Sequence, residues 1–133
     1  PEPPDEYLFH AASSGNVPEV LSTLQEAMFR NAMVIRGEEG LSAALGTVER
    51  LSANLSLCPS ADVRAIAQTR RLTGRLHTAE AILKAALLRR ESRGAHYRAD
   101  YPEADPAQSS PIIVSQDSGA IRARFTKEDV PCS

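Results

Sequence analysis

The feature that most constrains this chain is a long amphipathic pattern over residues 61–93. Its apolar residues recur three and four positions apart, which places their side chains on one face of an α-helix. These residues are Val63, Ile66, Ala67, Leu72, Leu76, Ala79, Ile82, Leu83, Ala86 and Leu87. Gly94 follows, and glycine often ends a helix in the left-handed conformation because it has no Cβ. The pattern therefore predicts one helix over residues 61–93, ended by Gly94.

Two further segments with the helical period precede this one. Residues 16–35 carry the first, and the spacing from Asn16 to Glu19 is typical of a capping box at its start. Residues 39–55 carry the second, and Cys58-Pro59-Ser60 predicts a turn before the long helix. Three amphipathic helices joined by short turns favour an antiparallel up-down-up bundle.

The period changes after the long helix. Ile121, Ala123 and Phe125 alternate with arginines, which is the two-residue period of a half-buried strand. A turn-rich link at residues 117–119 separates this segment from Ile112-Ile113-Val114-Ser115-Gln116, so we expect a short C-terminal β-hairpin. The predicted fold is mainly α. Its parts are a linker or strap over residues 1–15, a three-helix bundle with a C-terminal loop over residues 16–103, and a loop with the hairpin over residues 104–133.

Composition agrees with a single domain that has a modest core. A chain of 133 residues can bury one core, and the absence of tryptophan leaves mainly aliphatic residues to fill it. No apolar run of about eighteen residues occurs, so no direct membrane insertion is predicted. Cys58 and Cys132 are typical of free thiols in a reducing compartment, although a disulfide between them stays open. We therefore predict a cytoplasmic location.

Charge is distributed unevenly along the chain. Residues 1–50 contain eight acidic and three basic residues, whereas residues 51–98 contain nine basic and three acidic ones. Arginines are densest at the end of the long helix, where the helix dipole favours some of them. Two alternatives account for the rest: docking on an acidic or phosphate-bearing surface, or a solvated face. No nucleic-acid partner is predicted, because the arginines lack an aromatic stacking platform and the net charge is −2.

Motifs that carry chemistry are sparse. Neither of the common glycine-rich phosphate loops occurs, and the three histidines are too scattered to argue for a metal site. The group of His96, Arg98 and Asp100 has two interpretations: a proton-transfer group beside a cationic clamp for a carboxylate, or a loop held together by its own hydrogen bonds. We favour the structural one, because no second element that could form a pocket is evident. The chain is therefore predicted to contain no catalytic, cofactor-binding or metal-binding residue.

The end of the long helix resembles a family signature. The resemblance lies in Arg90-Glu91-Ser92-Arg93-Gly94-Ala95-His96-Tyr97-Arg98, continued by Asp100-Tyr101-Pro102-Glu103. This run is similar to the signature in the C-terminal helical domain of the succinate dehydrogenase/fumarate reductase flavoprotein family, which includes L-aspartate oxidase. Leu24-Gln25 with Met28 and residues 31–36 resemble the first helix of that domain, although Met33 stands where the family usually has glycine.

The resemblance implies a structural and docking domain of an FAD-dependent dicarboxylate oxidoreductase. The full-length protein would interconvert succinate and fumarate or oxidise L-aspartate, with FAD and the catalytic residues upstream of this chain. The implied partners are the FAD-binding domain of the same polypeptide and, in a parent complex, an iron–sulfur subunit; the parent would lie in the cytoplasm or on the inner face of a membrane. The predicted docking residues are Arg90, Glu91, Ser92, Arg93, His96, Arg98 and Asp100. The alternative is a free-standing helical interaction module that binds an acidic protein through the same arginines.

Overall fold

Three helices dominate the computed structural model, which describes residues 9–12 and 16–126. Helix α1 spans Val17–Asn31, α2 spans Glu38–Ala53 and α3 spans Val63–Leu88. The prediction of a mainly helical chain with three helices and a few short strands near its C-terminus is confirmed. None of these helices combines the length and the apolarity that crossing a membrane requires, within the part of the chain that is described.

The strands of the described residues form three separate pairs. Strand β1 (Phe9–Ala12) pairs antiparallel with β3 (Leu57–Ser60), β2 (Ile35–Arg36) pairs parallel with β4 (Tyr97–Arg98), and β5 (Ile112–Asp117) pairs antiparallel with β6 (Ala120–Phe125). A short 3₁₀ helix, Pro106–Gln108, lies between β4 and β5. Each of the first two pairs joins segments that are far apart in sequence.

The core lies where α2 packs against α3, with α1 along one side. Its most deeply buried apolar residues are Leu41, Ala44, Val48, Leu72, Leu76 and Leu83, and Val20 and Leu24 complete it from α1. Burial of one such aliphatic side chain contributes about 1.5–3 kcal/mol, so this face of α3 holds the bundle together. Two residues of the predicted inward stripe, Val63 and Ile82, are instead 78% and 45% exposed.

The predicted end of the long helix was wrong. Helix α3 stops at Leu88, where Arg89 adopts an extended backbone, and Gly94 does not cap it. Gly94 has a φ of 56° and lies in a tight turn in which Arg93 and His96 exchange two backbone hydrogen bonds of 2.8 and 3.0 Å. Because α3 stops at Leu88, residues 89–105 lie outside the helix and form a loop.

Three other local predictions were also wrong. Helix α1 ends at Asn31 rather than at residue 35, because the chain then turns into β2. Asn16 has a helical backbone and makes no side-chain cap hydrogen bond, so no capping box forms. Residues 58–60 belong to β3 instead of a turn, because β1 pairs with them. The start of α3 is capped by Asp62, whose Oδ1 accepts a hydrogen bond from Arg64 N at 2.9 Å.

Strand β1 is bound to α3 through a buried hydroxyl. Thr69 Oγ1 accepts a hydrogen bond from Ala12 N at 2.6 Å and donates one to Ala65 O at 2.9 Å. Ala11 and Ala12, the last two residues of β1, are buried. Residues 1–8, 13–15 and 127–133 lie outside the described residues, so the predicted domain limits stay predictions.

The pair formed by β5 and β6 rests on the second half of α3. Lys84 Nζ donates a hydrogen bond to Ile121 O at 2.9 Å, and the Arg89 guanidinium lies 5.3 Å from the centre of the Phe125 ring. Ile121 is buried at this contact. These strands therefore cover the side of α3 that leads into the sequence signature.

Candidate functional site

The signature loop, defined here as residues 89–105, folds back over the ends of two helices. Strand β4 lies within it and pairs with β2, and Ala99 N donates a hydrogen bond to Arg36 O at 2.8 Å. Farther along, Ser92 N donates to Glu103 O at 3.0 Å and closes the loop. Backbone pairing therefore holds this segment against the bundle.

Arg98 is the central residue of the signature loop, and its side chain is completely buried. Its Nε and Nη2 donate to the two oxygens of Asp100 at 2.7 and 2.6 Å, and Nη2 also donates to Glu38 Oε2 at 2.7 Å. Its Nη1 donates to Ala86 O at 2.9 Å and Leu87 O at 3.5 Å, carbonyls that the end of α3 leaves without helical partners. One guanidinium thus joins the C-terminus of α3 to the N-terminus of α2.

Asp100 links the same arginine to the backbone of α2. Its Oδ2 accepts a hydrogen bond from Glu38 N at 3.1 Å, at a helix N-terminus where the macrodipole favours negative charge. The hydrogen bonds from Arg98 are the main reason that the pKa of Asp100 is lowered from 3.8 to about 2. Asp100 is therefore ionised across the physiological pH range and complements the buried arginine.

Glu91 forms a second ionic centre inside the loop, with a side chain that is fully buried. Its Oε1 accepts from Arg89 Nη1 at 2.6 Å and from Arg93 Nε at 3.0 Å, while its Oε2 accepts from Asp105 N at 2.6 Å. The hydrogen bond from Arg93 is the largest cause that lowers the pKa of Glu91 from 4.5 to about 2, against the opposing effect of burial. The carboxylate therefore holds three separate parts of the loop together.

The hydrogen bonds of His96 define its protonation state. Arginine can only donate, so the 2.8 Å contact from Arg36 Nη1 requires that His96 Nδ1 accept. The proton then lies on Nε2, which donates to Arg89 O at 3.2 Å. Burial is the main cause that lowers the pKa of His96, and the neighbouring guanidinium groups act in the same direction. His96 is neutral and both of its ring nitrogens are engaged, which favours the structural interpretation over proton transfer.

The remaining predicted docking residues differ in exposure. Ser92 Oγ accepts from Arg98 N at 2.9 Å and donates to Tyr101 O at 2.8 Å, so it belongs to the interior of the loop. The Arg93 side chain is 43% exposed, and Arg90 is exposed and makes no side-chain hydrogen bond or ion pair with the described residues. Glu91 and Arg98 expose no surface, so in this arrangement they cannot touch a partner directly.

Sequence reasoning did not include four residues that complete the loop. Arg89 donates to Gln108 O at 2.5 Å and Ser110 O at 2.9 Å, and its place in the arginine cluster was the only signal that pointed to it. Arg36 and Glu38 lie about sixty positions before His96 and Arg98, to which they bind, and the sequence around them does not indicate these contacts. Asp105, which meets Glu91, caps the 3₁₀ helix through a hydrogen bond from Ala107 N at 2.9 Å.

The described residues do not fit an FAD site of the usual kind. Such a site is built on a parallel sheet with a glycine-rich turn leading into a helix, whereas the strands described here pair only two at a time. The described part of the chain also contains no group of three or more His, Cys, Asp or Glu side chains that could hold a metal ion. No step of a flavin reaction is therefore assigned to residues of this chain.

Comparison with known proteins shows a family match that includes the signature loop. The family model described as the fumarate reductase flavoprotein C-terminal domain matches residues 21–131, which is most of the chain. The chain belongs to this family. The match is continuous and includes most of α1, all of α2 and α3, the signature loop and the strands that follow the loop.

Individual relatives agree with this assignment. L-aspartate oxidase from Rhodospirillum rubrum is 43% identical over 89 residues, which are 67% of this chain and 28% of the relative. An FAD-dependent oxidoreductase from Methanocaldococcus jannaschii is 31% identical over 99 residues, 74% of this chain and 18% of the relative. The FrdA chain of a mutant E. coli quinol fumarate reductase has a similar fold, with a TM-score of 0.74 at 21% identity over 87% of this chain and 21% of FrdA. The chain spans less than a third of each.

Proposed function

We propose that this chain is the C-terminal structural and docking domain of an FAD-dependent dicarboxylate oxidoreductase. The full-length protein would bind FAD in its upstream portion and would interconvert succinate and fumarate or oxidise L-aspartate. Family membership supports this proposal, since the relatives include an L-aspartate oxidase and an FAD-dependent oxidoreductase. In this role the chain contributes a rigid surface and performs no reaction itself.

The observation that carries the proposal is the enclosed ionic network of the signature loop. Arg98 and Glu91 are completely buried, and each forms ion pairs with two oppositely charged side chains. Breaking a buried ion pair costs about 3–5 kcal/mol, so the loop has one strongly favoured shape. A fixed loop can present Arg90, Arg93 and Asp100 at constant positions to the FAD-binding domain, with Ser92 and His96 supporting it from within.

Two finer features belong to the same proposal. The helices are proposed to run up, down and up, followed by a C-terminal β-hairpin, which the contacts of α2 with both α1 and α3 and the antiparallel pairing of β5 with β6 support. The parent protein is proposed to lie in the cytoplasm or on the inner face of a membrane, where an iron–sulfur subunit would be a further partner. The free-standing module is less well supported, since Arg89, Arg93 and Arg98 are all paired within the chain.

Substitution of Arg90 tests the docking role in the full-length protein. Arg90→Ala removes an exposed charge that has no side-chain partner among the described residues, so the internal network of the loop stays intact. We expect a lower ratio of bound FAD to protein after purification and gel filtration, because the contact with the FAD-binding domain is weakened. The matched control is Arg50→Ala, which removes an exposed arginine on α2 whose Nη2 donates a hydrogen bond to Thr47 Oγ1 at 3.3 Å.

One result with these two variants would contradict the docking role of Arg90. If Arg90→Ala retains as much FAD as Arg50→Ala, and both melt at the temperature of the unaltered full-length protein, the docking role of this residue is wrong. A full-length protein that contains no bound flavin and no dinucleotide-binding segment upstream would contradict the proposed function as a whole.

A further inference from the structure

A groove of about 540 Å³ lies between α1 and α3 and includes no residue of the signature loop. Its apolar lining is formed by Leu21, Leu24 and Met28 of α1 and by Ala79 and Ile82 of α3. Ile82 is 45% exposed although its position in the helical stripe predicts burial. The three helices therefore leave apolar surface uncovered at this groove.

The apolar surface continues beyond the groove along α1. Met28 also borders a second depression with Phe29 and Met33, which are 72% and 53% exposed. Isolated exposed apolar residues are ordinary, whereas a contiguous apolar patch marks a surface that binds another protein element. The two depressions together therefore indicate an interaction surface along the exposed side of α1.

Gly74 leaves open space beside α3 into which another segment could pack. It lies within α3 and lines the groove, and a Cβ at this position would meet nothing within 4 Å. Glycine within a helix is less favourable than alanine, and no neighbour in the described chain uses the space it leaves. A glycine at such a place allows the backbone of another segment to pack directly on the helix.

Charge at the rim defines the chemistry of what would pack there. Arg71 and Arg75 are exposed, line the groove, and have no carboxylate within 4.0 Å among the described residues. Helix α3 contains no acidic residue between Val63 and Ala79, so this half of the helix is uniformly basic. An apolar floor beside two arginines complements a segment that carries an apolar side chain flanked by carboxylates.

We propose that this groove binds an acidic amphipathic segment from the upstream part of the same polypeptide. The inference rests on the proposed function, and it names a second contact that is separate from the signature loop. The matched region is 28% of the length of one relative and 18% of the length of another. Most of a full-length protein is therefore available to supply the segment. A second copy of this chain is disfavoured, because a twofold contact through the groove would bring the arginines of both copies together.

Filling the space over Gly74 tests the groove in the full-length protein. Gly74→Leu is compatible with the helix and with the space in this chain, but it blocks the approach of another backbone. Gly46→Leu is the matched control, since Gly46 lies within α2, would have nothing within 4 Å of an added Cβ and does not line the groove. We expect at least fivefold faster limited proteolysis within residues 1–15, the predicted linker or strap, in Gly74→Leu, and an unchanged rate in Gly46→Leu.

Charge reversal tests the rim independently. Arg75→Glu is expected to accelerate the same cleavage at least threefold, with an effect that diminishes at high salt because charge repulsion is screened. Arg64→Glu, on the same helix but outside the groove, is the control and should leave the rate unchanged. Equal cleavage rates for the two members of either pair would overturn the assignment of the groove.

Photo-crosslinking in the full-length protein identifies the occupant and separates this inference from the proposed function. The photoreactive p-benzoylphenylalanine replaces Thr78, which is exposed at the groove, or Arg90, which is exposed on the signature loop. A cross-link from position 78 to an acidic upstream segment supports the inference. A cross-link from position 90 alone, or from position 78 to a second molecule, overturns it and leaves the proposed function standing. No upstream cross-link from either position contradicts both.

Discussion

The guanidinium of Arg98 makes the largest set of polar contacts in the signature loop. It binds two carboxylates and two backbone carbonyls, and its pKa is raised chiefly by the hydrogen bonds with Asp100. Arginine suits this position because its planar fork can donate to both oxygens of one carboxylate while its other nitrogen reaches elsewhere. Lysine would offer one nitrogen on a flexible stem and could not reach both helix ends.

Replacement of Arg98 with methionine is therefore expected to destabilise the chain. Arg98→Met keeps much of the buried volume but leaves Asp100, Glu38 and the carbonyls of α3 without their donor, which we expect to cost about 3 kcal/mol. Urea denaturation of the 133-residue chain, followed by circular dichroism, measures the change. Arg90→Met, an exposed neighbour, is the control and is expected to shift the free energy of unfolding by less than about 0.5 kcal/mol. Equal effects for the two variants would contradict the central role of Arg98.

At the scale of elements, the glycine within α3 and the glycine after it differ in whether a Cβ would be favourable. Gly74 lies within the helix beside open space, whereas Gly94 adopts a positive φ of 56° in the turn after the helix. A Cβ is favourable at the first position because it reduces the freedom of the unfolded chain. At the second it is unfavourable, because the left-handed conformation brings Cβ close to the backbone.

Alanine substitutions at these glycines are expected to have opposite signs. Gly74→Ala should raise the free energy of unfolding of the 133-residue chain by about 1 kcal/mol, and Gly94→Ala should lower it by about 1 kcal/mol. Thermal and urea denaturation of both variants against the unaltered chain provide the measurement. Stabilisation by Gly94→Ala would show that the turn between Arg93 and His96 does not have the described conformation.

Across the whole molecule, the ionic contacts of the signature loop link stability to pH. The pKa values of Glu91 and Asp100 are lowered to about 2, and the pKa of His96 is lowered from 6.5. Each group binds protons more readily in the unfolded chain, so acid favours unfolding. The contribution of His96 is complete above about pH 6.5, while those of the two carboxylates are complete above about pH 5 and lost as the pH falls towards 2.

We therefore expect the free energy of unfolding to fall in two stages as the pH is lowered from about 7.5. The first stage starts near pH 6.5 and should disappear in His96→Gln, while the second starts near pH 5 and should remain in that variant. Urea denaturation at half-unit intervals of pH, at constant ionic strength, resolves the two. Stability that is constant between pH 7 and pH 3 would contradict the described hydrogen bonds of all three side chains.

The sequence alone indicated the helices well and the loop only in part. Periodic apolar residues located α1, α2 and α3, because helical hydrogen bonds join residues four positions apart and the pattern is written locally. The pairing of Arg98 with Asp100 is also local and agreed with the structural interpretation of that group. The end of α3 was misplaced by five residues, since Gly94 fits a left-handed turn after the helix as well as it fits a helix cap.

Only the tertiary structure decided what the charged residues do. Glu38 and Arg36 reach Arg98 and His96 across about sixty positions, and such contacts depend on how α2 packs against the end of α3. The same packing buried Glu91 and Arg98 within the chain and left Arg71 and Arg75 exposed beside an open groove, although all four belong to the same charged segment. Apolar periodicity is a property of neighbouring residues, whereas the burial and partners of a charge depend on the whole fold.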